Sequence, residues 1–124
     1  MTAQDIHEFG LRFVYRELMQ AGFKILSVEP DMETFPQIVA TKEETLYFIV
    51  VQSASYPDIG DLPSNYQIKQ IKEHAQKHNA ILKFASIGLA NAEAKNEAEK
   101  HFLKKGGELF VHYSGLKELD RKEN

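Results

Sequence analysis

The chain has 124 residues, 43% of them hydrophobic, with a formal net charge of −3 and no cysteine. A chain of this length forms one domain that buries roughly two thirds of its unfolded surface, and the missing cysteines exclude disulfides and thiolate metal sites. The acidic balance counts against a surface built to grip phosphate backbones, which carries a basic excess. The opening Met1-Thr2-Ala3-Gln4-Asp5 lacks the basic and apolar regions of a signal peptide, and no apolar run is long enough to span a membrane, so the expected location is the cytoplasm.

In chain order, the first element is a helix from about Asp5 to Ala21, closed by Gly22. At 100° per residue Ile6, Phe9, Phe13, Val14 and Leu18 form its apolar stripe, with Gly10 permitting close approach. Glu17 falls inside the stripe, where an acid either reaches past the margin to water or faces a polar pocket. Phe23 to Glu29 alternates as a first strand, Pro30-Asp31-Met32-Glu33 reads as a turn, and Phe35 to Thr41 is a second strand. Lys42-Glu43-Glu44 is too short a connection for anything but antiparallel pairing with the next strand.

That strand, Thr45-Leu46-Tyr47-Phe48-Ile49-Val50-Val51-Gln52, is the most apolar run in the chain and is expected to lie centrally, covered on both faces. It ends at Gln52, and such strand ends are where chemistry gathers in open α/β sheets. A loop from Ser53 to about Pro63 carries Asp58, Gly60 and Asp61. A second helix from about Ser64 to Asn79 buries Ile68, Ile71 and Ala75, and Ile81 to Leu89 forms a fourth strand, parallel to the third because a helix intervenes. A third helix is expected from Asn91 to Lys105, ended by Gly106-Gly107, then a fifth strand from Glu108 to Tyr113 and at most a short helix in the tail after Leu116. The order is α-β-β-β-α-β-α-β, a mixed sheet of about five strands with helices on both faces.

That order, with Gly22-Phe23-Lys24-Ile25-Leu26, Ile38-Val39-Ala40 and Phe48-Ile49-Val50-Val51-Gln52 coming after a helix, resembles the PD-(D/E)XK nuclease superfamily. The likeness is to its small resolvase-like branch, over residues 6–55, and it implies a restriction-endonuclease-like fold. In that superfamily an acid at the start of the second strand and another in the third hold Mg²⁺, with a lysine two residues further on. Mg²⁺ needs hard oxygen ligands in octahedral geometry, and it stabilises charge on the phosphorus while lowering the pKa of bound water. Carried over residue by residue, the two acids fall on Gln37 and Val50 and the lysine on Gln52. Glutamine stands at the last position in some active members; the isopropyl group of Val50 cannot ligate a metal. A site could survive only if Asp31, Glu33, Asp58 or Glu17 converged on the Gln52 end of the sheet.

Other constellations are plainer. His74 and His78 stand one helical turn apart without a third ligand or an adjoining general base, and so mark a helix margin touching solvent. His101 on an alanine-rich stripe is expected to be a packed core histidine, while His112 shares its strand with Leu109, Val111 and Tyr113 on the other face. No serine sits in a nucleophile elbow and no glycine-rich loop opens a helix. Lys69, Lys72, Lys77 and Lys83 give the second helix a basic side that Glu73 offsets.

Two functional readings emerge. In one, the chain is a nuclease-like domain without its metal site that acts by binding a partner; in the other, it is a Mg²⁺-dependent phosphodiesterase with relocated acids. On the first reading no cofactor is expected and nucleic acid is not the favoured partner. A homodimer is expected through an open edge of the meander, at Phe23 to Val28 or Phe35 to Thr41.

Overall fold

The computed structural model describes residues 1–119. Eight elements follow one another: helix α1 (Ala3–Gln20), strands β1 (Lys24–Val28), β2 (Ile38–Lys42) and β3 (Thr45–Ser55), helix α2 (Asn65–Lys77), strand β4 (Ile81–Asn91), one 3₁₀ turn (Glu97–Glu99) and strand β5 (Leu109–Tyr113). They build one five-stranded mixed sheet in the spatial order β1-β2-β3-β4-β5. The meander is antiparallel, β3 and β4 run parallel in register from Tyr47 with Ile81 to Ser55 with Leu89, and β5 returns antiparallel along β4. The apolar run is the middle strand, as its composition demands.

Alternation along β3 assigns its side chains to two layers. Ile49 and Val51 face α1, where Leu11, Val14 and Leu18 meet Ile38, Ala40, Ala85, Ile87 and Leu89. Val50 faces the other way, into a smaller core with Ile68, Ile71, Phe84 and Leu119. The two helices therefore cover opposite faces. Each begins on a capping box: Thr2 with Asp5 for α1, and Ser64 with Gln67 for α2. The Thr2 cap starts α1 two residues before Asp5. The line facing the sheet is His7, Gly10, Leu11, Val14 and Leu18, with Ile6, Phe9 and Phe13 half-buried beside it.

Several boundaries differ from those expected of the sequence. β2 starts at Ile38, because Pro36 has no N–H to give to a ladder and Gln37 uses its side chain for another purpose. β2 is also interior, so only Lys24–Val28 of the two expected meander edges is open. β3 runs on through Ser53, Ala54 and Ser55 before the loop begins.

The third helix does not form. β4 continues to Asn91, and residues 92–107 hold only the 3₁₀ turn. The Asn91 side chain accepts from the Glu93 N–H, Asn96 from the Glu99 N–H, and Glu99 from the Lys95 N–H, so side chains take the backbone donors that a helix would use. His101 is accordingly exposed and stacks on Phe102 with ring centroids 4.0 Å apart; it is not a core histidine. In the tail, Lys117 bridges to Phe84 in extended form and Leu119 is buried, so residues 116–119 are not helical. The rest of the expected tail helix, residues 120–124, lies outside the described residues.

α1 carries one polar residue into the core. His7 is 2% exposed and its Nε2 has no hydrogen-bond partner. Burial pushes the imidazole below its ordinary value near 6.5, against the opposing pull of the Glu8 and Asp31 carboxylates. With the folded-state pKa lowered, the unfolded chain binds the extra proton first as pH falls through about 6.5, so stability declines from there down to the folded value. Urea unfolding between pH 5 and 8 should show that decline, and His7→Leu should flatten it. Parallel curves for the two proteins would remove His7 as the cause.

Candidate functional site

The positions that the nuclease resemblance reserves for metal ligands are occupied by structure. Gln37 is 1% exposed; its Oε1 accepts the Val51 N–H at 2.9 Å and its Nε2 donates to the Met32 carbonyl at 3.3 Å. It thus continues the β2–β3 ladder beyond the point where the backbones pair. Val50 is completely buried beneath α2. Gln52 is half-buried opposite Ser86, and its carbonyl lies against Gly60, where a Cβ would come within 1.8 Å of the oxygen. These three residues do not fit Mg²⁺, which needs several oxygen ligands around one point.

The acids suggested as replacements are held apart. Asp31 caps its own turn, accepting from the Glu33 N–H and the Thr34 hydroxyl, and those bonds hold its carboxyl below the usual range. It also feels His7, on the α1 side. Glu33 lines a depression on the α2 side with Phe35, Gln67, Ile71 and His74. Glu17 lies on α1 near Tyr113, whose hydroxyl is pushed up first by burial and then by that carboxylate. Asp58 lies in the loop after β3. Among the described residues no three His, Asp or Glu side chains gather closely enough to hold a metal ion.

What the fold does build at the carboxyl ends of the parallel pair is a pinned loop with a recess on either side. The loop is fastened by the Tyr56 N–H to the Leu89 carbonyl at 2.7 Å, the Gly60 N–H to the Ile87 carbonyl at 3.0 Å, and the Ser86 hydroxyl to the Gly60 carbonyl at 2.6 Å. The Tyr56 hydroxyl donates to Glu97 at 2.6 Å, and Lys100 pairs with Glu97 while lying 5.3 Å from the centre of the Tyr56 ring. That cluster ties the loop to the irregular segment after β4. Close packing of α1 on β3 supports it from beneath: a Cβ on Gly10 would stand 1.9 Å from the Ser53 hydroxyl oxygen, which is buried without a partner.

The first recess, about 430 Å³, lies between the loop and β5, with Tyr56, Asp58, Ile59, Gly88, Phe110 and His112 in its walls. The second, wider and shallower at about 990 Å³, shares Pro57, Asp58 and Ile59 and adds Ser86, Ser114 and Lys117. Ser86 spends its hydroxyl on a backbone carbonyl and the Ser53 hydroxyl is buried without a partner, so neither of them is a nucleophile activated by a base. The first recess suits binding, because Phe110 is 67% and Ile59 49% exposed, forming an apolar patch rimmed by a carboxylate and an imidazole. Sequence reasoning missed Phe110 and Ile59. The available signal was the alternation in Glu108 to Tyr113, which sets Phe110 on the face opposite Leu109 and Val111.

None of the helices among the described residues is long and apolar enough to cross a membrane. The model of one protein family, described as "Domain of unknown function (DUF8840)", matches residues 4–119. No curated protein and no solved structure matches the chain.

Proposed function

The chain belongs to that family, so its function has to be read from its own residues, and we propose that it is a nuclease-like domain without a metal site that acts by binding a partner. The observation that carries this reading is Val50: the position that the resemblance reserves for the third-strand acid is sealed in apolar contact with Ile68, Ile71, Phe84 and Leu119. The bonds of Gln37 to Val51 and Met32 support it, since that side chain has a structural task. The net charge of −3 speaks for a protein partner over a phosphate backbone. The lack of cysteine fits the reducing cytoplasm, which we propose as its location.

The test is divalent-cation titration followed by thermal shift, with plasmid, single-stranded DNA and RNA as substrates in parallel. A cation bound only by the folded state adds about 2.7 kcal/mol at a hundred times its dissociation constant, which a melting curve resolves easily. Mg²⁺ and Mn²⁺ should leave the melting temperature unchanged and the nucleic acids intact. Cleavage that disappears in Asp31→Ala, Glu33→Ala, Asp58→Ala or Glu17→Ala would establish instead a phosphodiesterase with relocated acids.

The partner we propose first is a second copy. The sheet ends in two strands, β1 and β5, whose outer sides no other described strand covers, and an open edge is a template for pairing.

A further inference from the structure

The two open edges are not equivalent. Along β1 the ladder slips, since Ile25 pairs with Ala40 and Ser27 with Val39, leaving Leu26 as an extra residue. A bulge of this kind twists an edge away from further pairing. β5 has no such defence: it pairs regularly from Leu109 with Asn91 to Tyr113 with Ile87 and contains neither proline nor lysine. Its hydrogen-bonding direction is fixed by one contact. The Ala92 N–H donates to the Glu108 carbonyl at 3.0 Å, and bonded and non-bonded pairs alternate along an antiparallel ladder. Phe110 and His112 therefore spend their backbone groups on β4, while Leu109 and Val111 turn theirs outward. No backbone hydrogen bond outside the ladder reaches either residue among those described.

The side chains sort in the same way. Leu109, Val111 and Tyr113 pack against the core beneath α1, and Glu108, Phe110 and His112 stand exposed on the opposite face. Read along the strand, that exposed row is acid, aromatic, imidazole, and it is complementary to itself when reversed about Phe110.

We infer that β5 pairs antiparallel with β5 of a second copy across a two-fold axis at Phe110, joining the two sheets into one. This rests on the reading that a second copy is the partner, and it adds the surface and the register. In this register Leu109 lies opposite the partner's Val111, and the outward groups exchange both hydrogen bonds at each of the two equivalent pairs. Phe110 meets its own copy at a non-hydrogen-bonded position, where Cα atoms approach to about 4.5 Å and side chains are closest. Glu108 meets the partner's His112 twice. A slip of two residues would set Glu108 against either Ser114 or Phe110 and part the acid from the imidazole, so the acid–imidazole pairing selects the register. Strands this short bury less than the roughly 1,200 Å² that stable interfaces exceed, so a reversible dimer in the micromolar range is expected.

Sedimentation velocity of the full chain over a concentration series tests this. The wild type should move from 14.2 kDa toward twice that mass as concentration rises. Phe110→Glu changes an exposed side chain, so it should keep the wild-type circular dichroism and stay monomeric throughout. Glu108→Lys should weaken the dimer about tenfold by taking away the acceptor that faces the imidazole in both pairs, and adding His112→Glu should restore it through two Lys–Glu pairs. If the dimer survives Phe110→Glu and dissolves in Leu26→Lys, a second copy binds at β1 and the β5 assignment is wrong. A wild type that remains monomeric at every concentration would overturn both the assignment and the homodimer reading.

Discussion

Val50→Glu should remove a large share of the folding stability, at least as much as any single truncation in the same layer. Val50 is fully buried among Ile68, Ile71, Phe84 and Leu119, with no cation or hydrogen-bond donor among those neighbours to meet a carboxylate. An uncompensated buried charge costs about 3–5 kcal/mol, and the alternative, a protonated acid in the same place, still brings polar atoms without partners. The whole stability of a domain is about 5–15 kcal/mol, so one such change removes a large share of it. Adding Gln37→Asp deepens the loss, because a side chain shorter by one methylene gives up the bond to the Val51 N–H. Rebuilding the acids of the nuclease pattern thus dismantles the layer between β3 and α2 before any ligand set can form. Circular dichroism and urea unfolding read the result. A folded Val50→Glu protein whose melting point rises with Mg²⁺ would refute both the layering and the proposed loss of the metal site.

Phe48→Ala should cost about 3–5 kcal/mol, the usual range for truncating a buried aromatic. Phe48 is 5% exposed on the α2 side of β3, and the rings of His74 and His78 lie 5.2 and 5.6 Å from its centre. The two histidines, 4.7 Å from each other, form a lid over it at the last turn of α2. Truncation opens a cavity beneath that lid and frees the end of the helix, so the urea midpoint should fall steeply. A loss under about 1 kcal/mol would mean that the imidazoles close over the gap, and would mark α2 as loosely packed.

Much of the architecture was legible because its signals are local. The glycine that closes the first helix, the turn residues between strands and the uninterrupted apolar run of β3 each act within a few residues of where they stand. The segment from Ala92 to Gly107 shows where that logic ends. Its alanines, lysines and glutamates favour a helix by propensity, yet propensity is a weak prior and helices are stabilised chiefly by the apolar face they bury. Leu103 is the one core residue that this segment supplies among those described, so a helix there would gain little from packing, and the side chains of Asn91, Asn96 and Glu99 take the backbone instead.

The candidate site was less legible. From the sequence, Gln37 and Val50 can be recognised as residues that are not acids, which argues about chemistry that is missing. That Gln37 reaches across to Val51 depends on which strands lie side by side, whereas Asp31 satisfies itself within its own turn, with Glu33 and Thr34. Alternation sets Phe110 on the face opposite Leu109 and Val111, but that no described helix covers this face at β5 and leaves Phe110 exposed was decided by the tertiary structure.

The sequence by itself determined the layered α/β plan, the antiparallel meander, the parallel crossover and the central place of Thr45 to Gln52, because hydrophobic period, connection length and capping chemistry are properties of neighbouring residues. Tertiary structure alone decided which strands became edges, which face of the sheet stayed bare and where the carboxylates came to rest. Those outcomes depend on contacts between residues far apart in the chain. Gln37 reaches Val51 and Tyr56 reaches Glu97 only after the sheet has formed, and no local pattern encodes either meeting.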